Sequence, residues 1–235
     1  MTFEKDPIGF AIHDFYKNGS AENIIVESDL CEDDIIPVSH LFRTFDLMPK
    51  IEQKALQLSK GRVLDIGAAT GCHSTWLIEN KKDVLAVDIS NGAVEYMLSK
   101  DVNAKQISFL DLKNEKFDTI LMLMNGIGLV GNLDKLTPAL NHLKTLLNPG
   151  GTIICDSTDI KYMYEEEDGS MWVDLNSVYY GEIQFNMKYK EVESGWFDWI
   201  YIDPHTLTDY ASKSGFDTEI IMEGENNHYL AVLKI

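Results

Sequence analysis

The sequence predicts an α/β fold, a doubly wound and mostly parallel sheet with helices on both faces. Residues 63–66 form a short apolar run that stops at Gly67, and helical spacing resumes over 74–79, which reads as buried strand, tight turn and helix. Further apolar runs at 84–87, 117–123 and 152–156 alternate with amphipathic segments. Asp88 closes the second run 23 residues after Asp65, at a strand end where one carboxylate can accept from two hydroxyls.

Taken in order, Asp6-Pro7 places an N-cap before a proline at the first helical position. Ile8, Ala11, Ile12, Phe15 and Tyr16 then make one apolar face as far as Asn18-Gly19. Residues 23–26 read as a short strand and 27–34 as an exposed acidic loop. A second helix starts at Pro49 with Ile51, Ala55 and Leu58 on one side. After the second strand, Ser90-Asn91 caps a helix carrying Val94, Met97 and Leu98, and a third strand covers 104–109. The fourth strand runs into Met124-Asn125-Gly126, and Gly126, Gly128 and Gly131 keep the following loop free of bulk. Residues 132–136 read as one helical turn, because Thr137-Pro138 is itself a capping pair that restarts the helix.

The fifth strand follows Asn148-Pro149-Gly150-Gly151, and the pattern then changes. Residues 157–203 hold eleven of the 24 aromatic side chains, Trp172 among them, a density that asks for a covered surface. Ile183, Phe185, Met187 and Tyr189 alternate with Glu182, Gln184, Asn186 and Lys188, a period-two strand with one wet face. A turn at Glu193-Ser194-Gly195 leads to a second aromatic strand, so the segment is an inserted hairpin that walls an acceptor pocket, packs the core or makes a dimer contact. A helix at 206–214 and strands at 216–222 and 229–234 close the chain.

The glycine spacing discriminates between ligands. A dinucleotide turn needs G-x-G-x-x-G, which from Gly67 requires glycine at 69 and 72, where Ala69 and Cys72 stand. The segment instead carries D-x-G-x-G/A-x-G at Asp65, Gly67, Ala69 and Gly71. With Asp88, Asp111, the Met124-Asn125-Gly126 loop and the glycine pair before the fifth strand in the same order, the chain resembles the class I, Rossmann-like methyltransferases that depend on S-adenosylmethionine (SAM).

That resemblance implies a seven-stranded sheet with an antiparallel last strand, SAM as cofactor and a small-molecule acceptor. It divides the chain into an N-terminal helical cap segment, 1–60, and a SAM-binding core, 61–235, with the hairpin inserted at about 157–203. It assigns cofactor binding to Asp65, Gly67, Ala68, Gly71, Asp88, Ile89, Asp111, Leu112, Met124 and Asn125. Gly67 and Gly71 let the backbone pass close to the methionine and ribose parts, Asp88 holds the ribose, Ile89 packs on adenine, and Asp111 with Leu112 addresses the adenine edge. Asp65 fixes the loop or accepts from the methionine ammonium, and Asn125 touches methionine or acceptor. Tyr16, His40 and Arg43 become pocket-lining candidates, and His73 is read as structural. No catalytic residue is assigned, since methyl transfer from a sulfonium does not always need a base. The alternatives are an aminopropyltransferase-like enzyme of the same fold, which needs an acidic pair where Met124-Asn125-Gly126 stands, and a non-catalytic SAM-binding protein.

A formal charge of −18 opposes a phosphate backbone, so nucleic acid is not an expected partner. No apolar run reaches the length of a membrane span, and the first residues lack a basic stretch followed by an apolar one, which points to the cytoplasm. Cys31, Cys72 and Cys155 are odd in number and far apart, as reduced thiols are. The six histidines form no metal-binding pattern, so no metal is expected.

Overall fold

The computed structural model describes residues 3–164 and 179–235, which leaves Trp172 outside the described residues. Asp6 caps α1 (Pro7–Asn18), accepting from the Gly9 N–H at 2.8 Å, and Gly19 closes the helix in the left-handed region. Strands β1 (Ile24–Ser28) and β2 (Asp34–Ile36) follow, then the short helix α2 (Val38–Leu41) and α3 (Lys50–Leu58).

The alternating part comprises β3 (Arg62–Ile66), α4 (Cys72–Glu79), β4 (Asp83–Asp88), α5 (Asn91–Ser99), β5 (Ala104–Gln106), β6 (Phe117–Met122), α6 (Leu133–Thr145) and β7 (Leu147–Thr158). Next come β8 (Glu182–Tyr189), β9 (Val192–Glu193), β10 (Phe197–Ile200), α7 (Pro204–Lys213), β11 (Asp217–Glu223) and β12 (His228–Lys234).

Seven strands make one sheet in the order β11-β12-β7-β6-β3-β4-β5, with β12 antiparallel to both neighbours and the central pairs parallel. Leu64 and Leu121 are wholly buried because α3, α4 and α5 cover one face while α6 and α7 cover the other. The chain leaves β3 in one direction and returns to β6 on its other side, so a crevice opens between the carboxyl ends of these two strands.

A second, antiparallel sheet runs β10-β8-β1-β2, with β9 paired to β8. The inserted strands therefore share a sheet with the N-terminal segment, and α1 packs between that sheet and α5 through Ile12, Ile24, Ala93 and Tyr189.

Three local expectations are corrected. Thr137-Pro138 does not restart a helix: α6 runs unbroken from the Asn132 cap, whose side chain accepts from the Lys135 N–H. Burial of Leu136, Ala139, Leu140 and Leu143 on one face outweighs the backbone bond that Pro138 cannot make. The third strand stops at Gln106, because the Ser108 hydroxyl accepts from the Leu110 N–H and turns the chain into a 3-10 turn, Phe109–Asp111. In β8 the wet face is broken at Asn186, which is buried and donates to Glu27 at 2.8 Å. A strand with partners on both edges has less surface left for water.

The contact that seats α1 has no slack. Asp6 Oδ2 accepts from the Ser90 hydroxyl and the Gly92 N–H, and a Cβ on Gly92 would meet the Gly9 Cα at 2.6 Å. Gly92→Ala is thus expected to lift α1 and cost about 1–3 kcal/mol. Faster hydrogen exchange across 7–18 than in wild type would show it; unchanged protection there would refute the contact.

Candidate functional site

The site is built on the loop between β3 and α4. Gly67 and Gly71 both have φ of +71° and Ala69 has φ of +48°, so the chain folds back on itself within five residues. A side chain would be tight at either glycine besides being strained by the positive φ: a Cβ on Gly67 would stand 3.0 Å from Leu129, and one on Gly71 3.0 Å from Met97.

Carboxylates from two successive strand ends hold this loop. Asp65 is 1% exposed and accepts from the Ser74 hydroxyl at 2.6 Å, tying the end of β3 to the first turn of α4. Burial pushes its carboxyl up, against the nearby charge of His73 and the Ser74 hydrogen bonds. Asp88, half-buried, accepts from the Ala69 N–H on one oxygen and from the Ser90 N–H on the other, both at 2.8 Å. Burial raises it too, and those N–H groups offset part of the rise.

Behind the loop lies a buried ion cluster. Arg43 donates through Nε and Nη2 to Glu52 Oε2 at 3.1 and 2.5 Å, and through Nη1 to the His40 carbonyl at 2.7 Å. His73 Nε2 lies 2.8 Å from the same Glu52 oxygen. The Thr70 hydroxyl donates to the Leu41 carbonyl, locking α2 onto the loop. Burial pushes the Cys72 thiol up to about 11, which leaves it protonated and unreactive at neutral pH.

A narrow hollow of about 10 Å³, room for one water, is lined by Asp65, Gly67, Ala68 and Met124 together with Leu41, Arg43 and His73. Ile89, 75% exposed, and Asp111, also exposed, do not line this hollow. Leu112 faces the core instead, and its N–H donates to the Phe109 carbonyl. Met124 and Asn125 take consecutive positive φ values of +66° and +55°, an arrangement that non-glycine residues adopt only when the surroundings enforce it. The Asn125 side-chain oxygen accepts from the Thr158 hydroxyl at 2.8 Å, and no described residue accepts from its side-chain nitrogen. Of the N-terminal candidates, Arg43 reaches the hollow; His40 is exposed, and Tyr16 is 52% exposed against Tyr96.

Sequence reasoning passed over Glu52 and the pair Asp156–His228. Glu52 sits in the first turn of α3, where an acid ordinarily faces water and complements the helix N-terminus. Only its spacing from Ile51, Ala55 and Leu56, which puts it on the apolar side of α3, could have signalled burial. Among the described residues no helix is long and apolar enough to cross a membrane.

A family model described as a methyltransferase domain matches residues 40–219. A SAM-dependent methyltransferase from Bacteroides fragilis, solved in complex with S-adenosyl-L-homocysteine, is 44% identical, with a TM-score of 0.93 over 100% of this chain and 97% of that one. Among curated proteins, a cypemycin N-terminal methyltransferase from a Streptomyces species is 33% identical over 102 residues, 41% of this chain and 42% of that protein. The mouse glycine N-methyltransferase is 25% identical over 122 residues, 43% of this chain and 42% of that protein. The chain thus matches less than half the length of these two curated relatives. The match across most of the chain, on a sheet whose order and antiparallel last strand are those of the class I fold, gives the identification: the chain belongs to the SAM-dependent methyltransferase family.

Proposed function

We propose that this protein moves a methyl group from SAM to a small-molecule acceptor, with nitrogen as the favoured atom because both curated relatives are named for methylating an amine. The observation that carries the reading is the bare, positive-φ loop clamped by Asp65 and Asp88 at the point where the strand order reverses.

The residues fit the cofactor. A carboxylate has about four acceptor positions. In Asp88 the Ala69 and Ser90 N–H groups take two and leave two for the pair of ribose hydroxyls. The exposed side chain of Ile89 offers a flat apolar surface to adenine, and Asp111 an acceptor for its amino group. Gly67, Ala68 and Gly71 present backbone rather than side chains to the methionine end. The N-terminus of α4, which has no side-chain cap, and Arg43 favour the methionine carboxylate there. Asp65, tied to Ser74, fixes the loop, and Met124 with Asn125 turns an amide N–H toward methionine or acceptor.

When bound, SAM supplies a methyl group already activated by its positively charged sulfur. The chain's part is alignment and exclusion of water, and well-oriented reactants gain about 7–11 kcal/mol from proximity alone. Titration calorimetry with SAM and with its demethylated product, S-adenosyl-L-homocysteine, tests this directly. One-to-one binding of both is the expected result, and heat no larger than dilution for either would end the proposal.

A further inference from the structure

His228 opens β12 beside the end of β7, at the same edge of the sheet as the glycine loop. Its Nε2 lies 2.8 Å from Oδ2 of Asp156, while Oδ1 of that wholly buried carboxylate accepts from the Gly126 N–H at 3.1 Å. A carboxylate only accepts, so Nε2 carries the proton and Nδ1 holds a lone pair that nothing described engages. With 25% of its side chain exposed, His228 is a partly open base. Asp156 sets its tautomer and stabilises the imidazolium that proton uptake creates.

Against this edge the second sheet brings aromatic rings. Phe185 lies 6.3 Å from both Trp199 and Tyr201, and Trp199 presses on Gly128 so closely that a Cβ there would stand 2.2 Å from it. Gly128 belongs to the same turn after β6 as Gly126, so rings and dyad share one loop. Trp199 Nε1 is buried there with no acceptor, a donor that a ligand oxygen would satisfy. Burial first, and then the charges of Cys31, Tyr162, Asp34 and Asp156, push the Tyr201 hydroxyl up to about 12. Ring faces and carboxylates attract a cation and repel an anion.

We propose that the acceptor is a small aliphatic amine that also bears an oxygen, received as its ammonium where Phe185, Trp199 and Tyr201 meet the Asp156–His228 pair, and that His228 is the catalytic base. In that step an ammonium N–H bond breaks, its electron pair stays on nitrogen as the nucleophilic lone pair, and the proton goes to Nδ1 of His228. The inference rests on the methyltransferase reading and names its acceptor class.

The experiment uses the full chain loaded with S-adenosyl-L-homocysteine, whose own binding is read first by calorimetry; failure at that stage would sink the cofactor reading, not the acceptor class. Three amine probes are then paired with alcohols of the same skeleton: ethanolamine with ethylene glycol, glycinamide with glycolamide, and glucosamine with glucose. At least one amine is expected to bind tenfold more tightly than its alcohol and to accept methyl from SAM. Equal binding within every pair, or binding without transfer, would overturn the proposal. Phe185→Leu is expected to weaken that amine roughly two- to fivefold. His228→Gln is expected to keep SAM and amine affinity within about twofold yet lose on the order of 100-fold in kcat at neutral pH. That loss should shrink as pH rises and free amine becomes available from solution, a recovery that a purely structural role for His228 would not produce. A pH-independent loss, or none, would remove His228 from the chemistry and leave only the amine class standing on the binding pairs.

Discussion

Asp88→Ala is expected to weaken SAM binding by at least roughly 100-fold. Two hydrogen bonds from ribose hydroxyls to a charged acceptor contribute about 1.5–3 kcal/mol each, and about 2.7 kcal/mol already corresponds to that factor. The variant also removes the acceptor for the Ala69 and Ser90 N–H groups, so the loop that carries Gly67 and Gly71 is held to β4 by the Gly67 and Ala68 N–H bonds to the Val87 carbonyl alone. Calorimetry with SAM measures the loss, and a cooperative thermal transition shows that the sheet survives. Wild-type affinity in the variant would mean the nucleoside does not lie across Asp88.

Glu52→Ala is expected to cost about 3–5 kcal/mol of stability, because removing one member of a buried pair leaves the other charge without compensation. The stranded group is Arg43, 5% exposed, which would keep only the His40 carbonyl and the His73 ring. Burial works to raise the Glu52 carboxyl, but the His73 hydrogen bond and the charges of His73 and Arg43 hold it below its ordinary value of 4.5. A carboxyl lowered on folding contributes fully above its unfolded value and loses that contribution as pH falls through the folded one. Urea midpoints measured from about pH 7 down to about pH 3 should therefore fall in acid for the wild type, and Glu52→Gln should flatten part of that fall. Parallel curves for the two proteins would show that the cluster does not titrate with folding.

The parts of this molecule that were legible in its sequence are those whose causes are local. Asp6-Pro7 and Gly19 bracket α1, Ser90 caps α5, and the apolar run ending in Gly67 gives β3 and its turn, each within a few residues of its own physical reason. Asp88 was readable for the same cause, since it sits at a strand end that its own sequence defines. The ion cluster was not, because Arg43, Glu52 and His73 come from a connecting segment and the first turns of two different helices, whose meeting depends on how α3 packs. Pro138 misled for the opposite reason: its local rule is sound, but four buried side chains on one helix face outweigh one missing bond. Asp156 and His228 lie 72 positions apart and meet only through the pairing of β7 with β12.

That β1 pairs with β8 has a bearing on how the molecule is made. Glu27 and Asn186 touch although they lie 159 positions apart, so a nascent chain emerging from the ribosome carries β1 and β2 unpartnered on their inner edge until β8 has been synthesised. Closing so long a loop is entropically slow. During that wait the N-terminal hairpin is an open edge on which a chaperone, or a neighbouring nascent chain, can add a strand.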